Sequence, residues 1–121
     1  MTTRTSPALD DRARAVLPLS PILMHILLAL VDRPRHGLGI ADHVEAFTNE
    51  RISLGPGTLY GSIKRLLELG LLEEPDSRPK GDSDDPRRRY YAITPLGRRA
   101  LELDMRELAH VMRVARAKGV L

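Results

Sequence analysis

Cysteine and tryptophan are absent from this 121-residue sequence, which also has only one phenylalanine and three tyrosines. Without cysteine the chain can form neither a disulfide nor a thiolate zinc site, and it has no thiol nucleophile. Its four histidines are spread along the chain, and no Asp or Glu at a suitable spacing completes a metal site around them. We therefore expect no metal and no cofactor. Because the sequence shows neither a nucleophile–base pair nor a phosphate-binding glycine loop, we do not expect an enzyme.

Long apolar runs are missing as well. The longest, residues 22–31, contains His25 and is too short to cross a bilayer, and the N-terminus shows no secretion signal pattern. These absences predict a cytoplasmic protein with no membrane partner. The formal net charge is only +3, which is weak support for nucleic-acid binding, so the clustering of basic residues matters more than their number.

The most informative stretch, residues 53–72, predicts a helix with one buried and one polar face. A Pro-Gly turn opens it, Gly70 closes it, and apolar residues recur at helical spacing. The opposite face carries Gly57, Thr58, Gly61, Lys64, Arg65 and Glu68. Because glycine has no side chain, the helix backbone can approach a partner closely there. A helix of this kind suits the major groove of DNA.

Three consecutive arginines open a segment, Arg87–Thr94, that predicts a basic strand. The loop 75–86 before it is rich in Asp, Ser, Pro and Gly, and it joins this strand to a shorter one as a hairpin with a long tip. Side chains alternate in a strand, so at most two of the arginines share a face. We expect either Arg87 with Arg89, or Arg88 with the basic loop residues, to contact phosphates.

Capping residues predict where the flanking helices begin. Ser20-Pro21 supplies an N-cap and a first helical residue for a helix that ends near Val31. Thr94-Pro95 supplies the same pair for the last helix of the chain.

A further helix is predicted to begin near Gly37, with Ile40, Val44 and Phe47 facing the core. Residues 51–54 predict a brief strand after it. The resulting order of three helices, a hairpin and a closing helix is mainly α with a small β-hairpin, which is a winged helix-turn-helix plus a C-terminal dimerisation helix. The predicted division is an N-terminal arm over 1–18 with a short helix around Asp10–Val16, a winged helix-turn-helix DNA-binding domain over 19–94, and the dimerisation helix over 95–121.

Apolar residues of the last helix recur at alternating spacings of four and three, which is the heptad seam by which one helix pairs with another. These positions are Leu101, Met105, Leu108, Met112 and Ala115. Other apolar residues lie outside the seam, so the helix has more apolar surface than one small domain can cover. We therefore expect a homodimer. The alternative is that the seam packs on its own domain.

Three short blocks stand out by their order and spacing. They are His36-Gly37, then Gly55-Pro56-Gly57-Thr58-Leu59-Tyr60, then Arg88-Arg89-Tyr90-Tyr91-Ala92-Ile93-Thr94-Pro95-Leu96-Gly97. At these residues the chain resembles the PadR family of bacterial transcriptional regulators, and the resemblance covers residues 19–101. Only one helix follows the hairpin, and in this the chain resembles the compact branch of that family.

The resemblance implies a homodimer that binds double-stranded DNA at a palindromic operator, represses a nearby gene, and releases DNA when a small hydrophobic effector binds near the dimer interface. The candidate effector site is a cleft lined by Leu23, Met24, Met105 and Met112, because methionine adapts to varied apolar ligands. The same residues would otherwise be plain dimer core. The chain departs from the family in lacking the tryptophan with which some compact members sandwich flat ligands. A second departure is a hairpin tip of mixed charge, with Arg78, Lys80, Asp82, Asp84 and Asp85.

The predicted DNA contacts combine the glycine-containing helix with the arginine run. They are Thr58, Tyr60, Ser62, Lys64, Arg65, Arg87, Arg88 and Arg89. An arginine paired with guanine is worth about 1–3 kcal/mol of base discrimination, whereas phosphate contacts fix the register. The alternative function is a winged-helix adaptor that binds proteins and not DNA, which the acidic residues of the hairpin tip favour. Such an adaptor would show no salt-dependent affinity for DNA.

Overall fold

Five helices and a three-stranded sheet make up the structure, a computed structural model that describes residues 7–76 and 87–121. The helices are α1 Pro7–Ala15, α2 Pro21–Ala29, α3 Gly37–Phe47, α4 Pro56–Glu68 and α5 Pro95–Ala117, and the strands are β1 Arg35–His36, β2 Leu72–Glu73 and β3 Tyr90–Ile93. The strands pair antiparallel in the order β1-β3-β2. The predicted fold class, mainly α with a β-hairpin, is confirmed. Strand β1 adds a third strand that the sequence did not predict.

Two capping side chains fix the starts of α2 and α5 as the sequence predicts. Ser20 accepts a hydrogen bond from the backbone N–H of Leu23, and Thr94 accepts one from the N–H of Gly97 at 3.0 Å. The Thr94 hydroxyl also donates to the carbonyl of Gly70 at 2.7 Å. Because Gly70 lies two residues beyond the last residue of α4, this one side chain joins the end of α4 to the start of α5.

The core lies where α2, α3 and α4 cross. Its largest fully buried side chains are Ile26, Leu27, Leu30, Ile40, Val44, Leu59, Ile63, Leu66 and Leu71. The prediction that Phe47 faces this core is wrong, because it lies on the last turn of α3 and is 39% exposed. Its ring instead stacks on His25, with ring centres 5.7 Å apart and ring planes 5° from parallel.

Residues 51–54 connect α3 to α4 without forming a strand, so the predicted brief strand is wrong. Thr48 explains the difference, since its hydroxyl donates to the Val44 carbonyl at 2.8 Å and accepts from the N–H of Ile52 at 3.2 Å. A side chain therefore takes the backbone donor that a strand would use. Asn49 and Glu50 turn the chain with φ angles of 54° and 66°, in the left-handed region.

Helix α1 lies in the segment predicted as an arm, close to the short helix expected there. Its Ala13 is completely buried, and the carboxylate of Asp10 pairs with the guanidinium of Arg99 on α5 at 2.8 and 3.2 Å. The helix thus packs on α5. The division of the chain into arm, DNA-binding domain and dimerisation helix stays a prediction.

Helix α5 carries a buried carboxyl on its inner side. Asp104 is 7% exposed and lies against the segment between α1 and α2, where it accepts a hydrogen bond from the backbone N–H of Leu19. Burial raises the pKa of Asp104, and the nearby charge of Glu107 adds to that rise, while the Leu19 hydrogen bond opposes both.

Candidate nucleic-acid interface

The solvent face of α4 is open along its whole length. Thr58, Lys64 and Arg65 are exposed on it, while Ser62 is half-buried at its edge. Among the described residues, none comes within 4 Å of the positions where side chains at Gly57 and Gly61 would begin. A partner can therefore touch the backbone of α4 directly on this face, with hydroxyl and cationic side chains on either side of the contact.

Tyr60 lies where the buried and open faces of α4 meet, and it is 46% exposed. Its ring rests against the backbone of Gly37, the first residue of α3, and a Cβ added there would lie 2.5 Å from the tyrosine hydroxyl oxygen. The missing side chain at position 37 thus makes room for the ring. The hydroxyl is held at the junction of α3 and α4.

The three arginines at 87–89, which we call the wing base, precede β3 and do not belong to it. The prediction that the strand starts at Arg87 is wrong, because β3 begins at Tyr90, the residue that pairs with His36 of β1. Strand alternation therefore does not decide which arginines share a face. Arg87 and Arg89 are exposed, whereas Arg88 is half-buried.

Arg88 reaches the start of α3. Its Nη1 lies 3.1 Å from Nε2 of His36, and the Nδ1 of the same ring accepts the backbone N–H of Gly39 at 3.0 Å, which caps α3. The ring of Tyr90 meets the imidazole edge-on at 5.5 Å. The wing base and the N-terminus of α3 are thus connected through one histidine.

A cleft of about 270 Å³ opens between the start of α3, α4 and the wing base, and we call it the wing-base cleft. Its lining residues are His36, Gly37, Leu38, Tyr60, Arg87, Arg88, Arg89 and Tyr91. The lining described by the structure combines a phenol hydroxyl with guanidinium groups and contains no carboxylate. Such a set of donors suits a phosphate oxygen. Burial raises the pKa of Tyr91, with the charge of Glu74 acting in the same direction, so its hydroxyl stays a neutral donor.

The predicted DNA-contacting residues fall on two flanks of α4. Tyr60 and the three arginines meet in the wing-base cleft. Arg65 lies on the opposite flank, where it and Leu69 line a groove of about 340 Å³ along residues 15–20 and Leu23. Thr58 and Lys64 lie on the exposed surface of the same helix. The mixed-charge hairpin tip falls in 77–86, outside the described residues.

The residues of the predicted dimer seam on α5 differ in their exposure to solvent along the helix. Leu101 is buried in the chain's own core, and Met105 and Ala115 are half-buried. Leu108 and Met112 are 40% and 51% exposed. Val111 and Val114, outside the seam, are exposed too. The first half of α5 therefore packs on its own domain, and the second half presents apolar side chains to solvent.

The four predicted effector residues have different surroundings in the single chain. Leu23 lines the groove beside Arg65, Met24 and Met105 pack against the edge of the core, and Met112 is exposed. In the described part of the single chain, Met112 is exposed to solvent while the other three pack on the domain.

His36 and Gly37 are the residues whose place in the site the sequence did not reveal. The sequence marks them as the start of a helix, and no local pattern places that start beside arginines about fifty positions away. Pairing of β1 with β3 brings the two together. The His36-Gly37 block was the available signal in the sequence.

No helix among the described residues is long and apolar enough to span a membrane. Within 7–76 and 87–121, no group of three or more His, Asp or Glu side chains is placed to hold a metal ion.

Comparison with known proteins gives a consistent result. A family model described as the transcriptional regulator PadR-like family matches residues 26–103. A transcriptional regulator of Mycobacterium tuberculosis is 33% identical over 92 residues, which are 76% of this chain and 79% of that protein. An uncharacterised 37.1 kDa protein from a Streptomyces fradiae transposon is 36% identical over 88 residues, or 73% of this chain. The match spans only 23% of that longer relative.

Solved structures agree with the family match. The crystal structure of a PadR family transcription regulator from Clostridium difficile superposes with a TM-score of 0.67 at 26% identity. The match covers 81% of this chain and 97% of that one.

Proposed function

The chain belongs to the PadR-like family of transcriptional regulators, and we propose that it is a homodimeric repressor that binds a palindromic operator through α4 and the wing base. Members of this family are transcriptional regulators and not enzymes, in agreement with the expectation from the sequence. The observation that carries the DNA-binding proposal is the wing-base cleft, because it gathers Tyr60 and three arginines beside the open face of α4.

The two parts of this surface suit two kinds of contact. The major groove of DNA admits an α-helix, and the glycines on the open face of α4 allow its backbone to approach the bases. There Lys64 and Arg65 can donate to guanine edges or phosphates. The wing-base cleft offers donors to a backbone phosphate beside that groove. Thr58 adds a hydroxyl group near the start of α4, and Ser62 adds one in its middle. Together these residues would fix both the position of the helix and the bases that it reads.

The exposed half of α5 supports the homodimer. Leu108, Val111 and Met112 each leave 40–58% of their surface in solvent on a single chain, and burying that apolar surface against a second copy is favourable. Two copies related by a twofold axis would present two α4 helices to half-sites about 34 Å apart, one turn of DNA. A palindromic operator follows from that symmetry.

Repression and release complete the proposal. A dimer seated on an operator that overlaps a promoter would exclude the polymerase, and the protein would act in the cytoplasm, where bacterial DNA is found. A small hydrophobic effector would bind where Met24, Met105 and Met112 come together with Leu23 across the dimer. Binding there would change the separation of the two α4 helices and so weaken DNA binding.

The test is binding of the purified full chain to the DNA upstream of its own gene across a salt series. Sequence-selective binding with a steep salt slope is the expected result. Changing Lys64 or Arg87 to alanine removes one phosphate contact from each subunit, so each variant should reduce the slope of a dimer by about 1.8. Arg12→Ala, an equal loss of charge on the exposed side of α1, should leave it unchanged. Binding equal to that of random DNA, or variants that bind like the wild type, would contradict the proposal and favour a protein–protein adaptor.

A further inference from the structure

Glu68 is the only acidic residue of α4, and it lies on the open face of that helix. Gly57, Gly61, Lys64 and Glu68 follow one another at spacings of four, three and four positions, so they form one stripe along the helix. The buried residues of α4 lie on the opposite side. Glu68 is exposed, and its carboxylate therefore belongs to the surface that we propose enters the major groove.

A carboxylate at this position weakens the helix. Glu68 is the last residue of α4, where the helix dipole places partial negative charge and favours a cation instead. Lys64 and Arg65 lie one turn earlier, close enough along the helix to pair with Glu68. In the described part of the chain, however, no ion pair joins either of them to its carboxylate. The cost of the carboxylate is therefore not offset by these neighbours, and residues that break a local rule in this way are expected at functional sites.

The phosphates of DNA would repel the same carboxylate, so only the bases offer it a favourable contact. An ionised carboxylate accepts hydrogen bonds and donates none, and the groups that donate into the major groove are the amino groups of cytosine and adenine. Adenine places the acceptor N7 beside its amino group, whereas cytosine presents its N4 amino group with no acceptor of its own next to it. Guanine and thymine present acceptors there. The chemistry of a carboxylate therefore selects cytosine and disfavours the other three bases.

We propose that Glu68 is a specificity-determining residue, whose carboxylate accepts a hydrogen bond from N4 of one cytosine in each half-site of the operator. This inference rests on the proposed function, and it adds a residue that lies outside the predicted DNA contacts. Lys64 and Arg65, one turn away, can donate to guanine, so that the cations and the carboxylate of one face recognise different bases. Their Cβ atoms lie about 5–6 Å from that of Glu68. Because base pairs are stacked about 3.4 Å apart, the cytosine should lie within about two base pairs of such a guanine.

The experiment is selection of bound sequences from a pool of random DNA duplexes by the purified full chain, with wild type, Glu68→Ala and Glu68→Gln compared at one salt concentration. In the wild-type sequences we expect cytosine at one position of both half-sites, preferred about 5–150-fold over the other bases. Glu68→Ala should lose the preference at that position alone. Glu68→Gln should prefer adenine there, because a glutamine amide donates to N7 and accepts from N6 of adenine.

A carboxylate that only repels phosphates would give a different result. Both variants would then bind every duplex more tightly by the same factor and select the same sequences as the wild type, which would overturn the proposal. Asp11→Asn, which removes an exposed negative charge from α1, is the control and should change no base preference. A wild type that enriches no sequence would remove the proposed function itself, and the role of Glu68 with it.

Urea unfolding of the same variants separates base recognition from a structural role. Because the carboxylate opposes the helix dipole, Glu68→Gln should unfold at the same urea concentration as the wild type or at a higher one. A lower unfolding midpoint would show that Glu68 stabilises α4 through contacts within the protein. A change of base preference would then follow from a disturbed helix, and the proposal would be overturned.

Discussion

Gly37 and Tyr60 fit together because the first has no side chain where the second places its ring. A Cβ at position 37 would lie 2.5 Å from the tyrosine hydroxyl oxygen and 2.8 Å from two ring carbons. The two residues belong to the consecutive helices α3 and α4, so their contact fixes the position of the hydroxyl at the wing-base cleft. The identity of one residue therefore sets where the other can donate a hydrogen bond.

Changing Gly37 to alanine should weaken DNA binding without unfolding the protein. The new methyl group should displace the Tyr60 ring and remove the hydrogen bond to a phosphate that we propose for it. The loss is about 1 kcal/mol for each subunit, or roughly thirtyfold in the affinity of a dimer. Operator titrations should show the same loss for Tyr60→Phe, and the double variant should be no weaker than either single one. Additive losses would show that the two residues act independently.

Changing Gly61 to alanine should affect stability and DNA binding in opposite directions. Gly61 lies in the middle of α4 with open space around it, so alanine should raise the free energy of unfolding by about 0.5–1 kcal/mol. The same methyl group would stand between the helix backbone and DNA and should lower affinity. Urea unfolding and operator binding measure the two effects, and unchanged affinity would show that DNA does not approach α4 at this point.

Replacing Glu50 by glycine should stabilise the protein. Glu50 adopts a φ of 66°, a conformation that costs a residue with a Cβ about 1–2 kcal/mol and costs glycine little. Part of the gain is offset by the greater freedom of glycine in the unfolded chain, so we expect a net gain of about 0.5–1 kcal/mol in urea unfolding. Asn49→Gly should gain less, because asparagine tolerates the left-handed region better.

Asp104→Asn should stabilise the protein at neutral pH and have little effect in acid. Burial raises the pKa of Asp104 above its usual 3.8, so the native state binds a proton more tightly than the unfolded chain does. The stability from this group is complete below that usual value and is lost as the pH rises through the folded one. The difference in unfolding free energy between variant and wild type should therefore grow across this window and then level off. A constant difference would show that the carboxyl does not titrate as described.

Leu108→Glu should convert the proposed dimer into a folded monomer. Leu108 is 40% exposed in the single chain, so a charge is tolerated there, but it would be buried without a partner in the dimer seam. Sedimentation should give the monomer mass, circular dichroism should stay native, and operator affinity should fall sharply. His110→Glu, on the outer side of the same helix, is the matched control. A Leu108→Glu protein that remains dimeric would move the interface elsewhere.

Features that depend on neighbouring residues could be predicted from the sequence. Ser20 and Thr94 act on N–H groups three positions away, and the buried stripe of α4 follows from its helical spacing. Strand β1 was not predicted because two residues are too few to show the alternation of apolar and polar side chains that marks a strand. Only their pairing with β3 makes them a strand. The contact between His36 and Arg88 depends on that same pairing.

The errors have equally local causes. The arginine run resembled the start of a strand, yet in the structure β3 begins only at Tyr90, where β1 supplies a partner. Phe47 has the spacing of a core residue, but α3 ends with it, and His25 becomes its neighbour. The sequence patterns therefore predicted both elements correctly. They misplaced the first residues of β3 and the orientation of the last turn of α3.

The double role of Thr94 has a mechanical consequence for the proposed dimer. Its hydroxyl joins the end of α4 to the start of α5, and at Gly97 a Cβ would collide with the carbonyl of Leu71. Helix α4 and the 23-residue α5, about 35 Å long, are therefore joined rigidly. In the proposed dimer this rigid connection would fix the distance between the two α4 helices, and with it the spacing of the half-sites that they can reach. One base pair inserted between the half-sites would rotate them by about 36° and should be tolerated less well than many base changes within them.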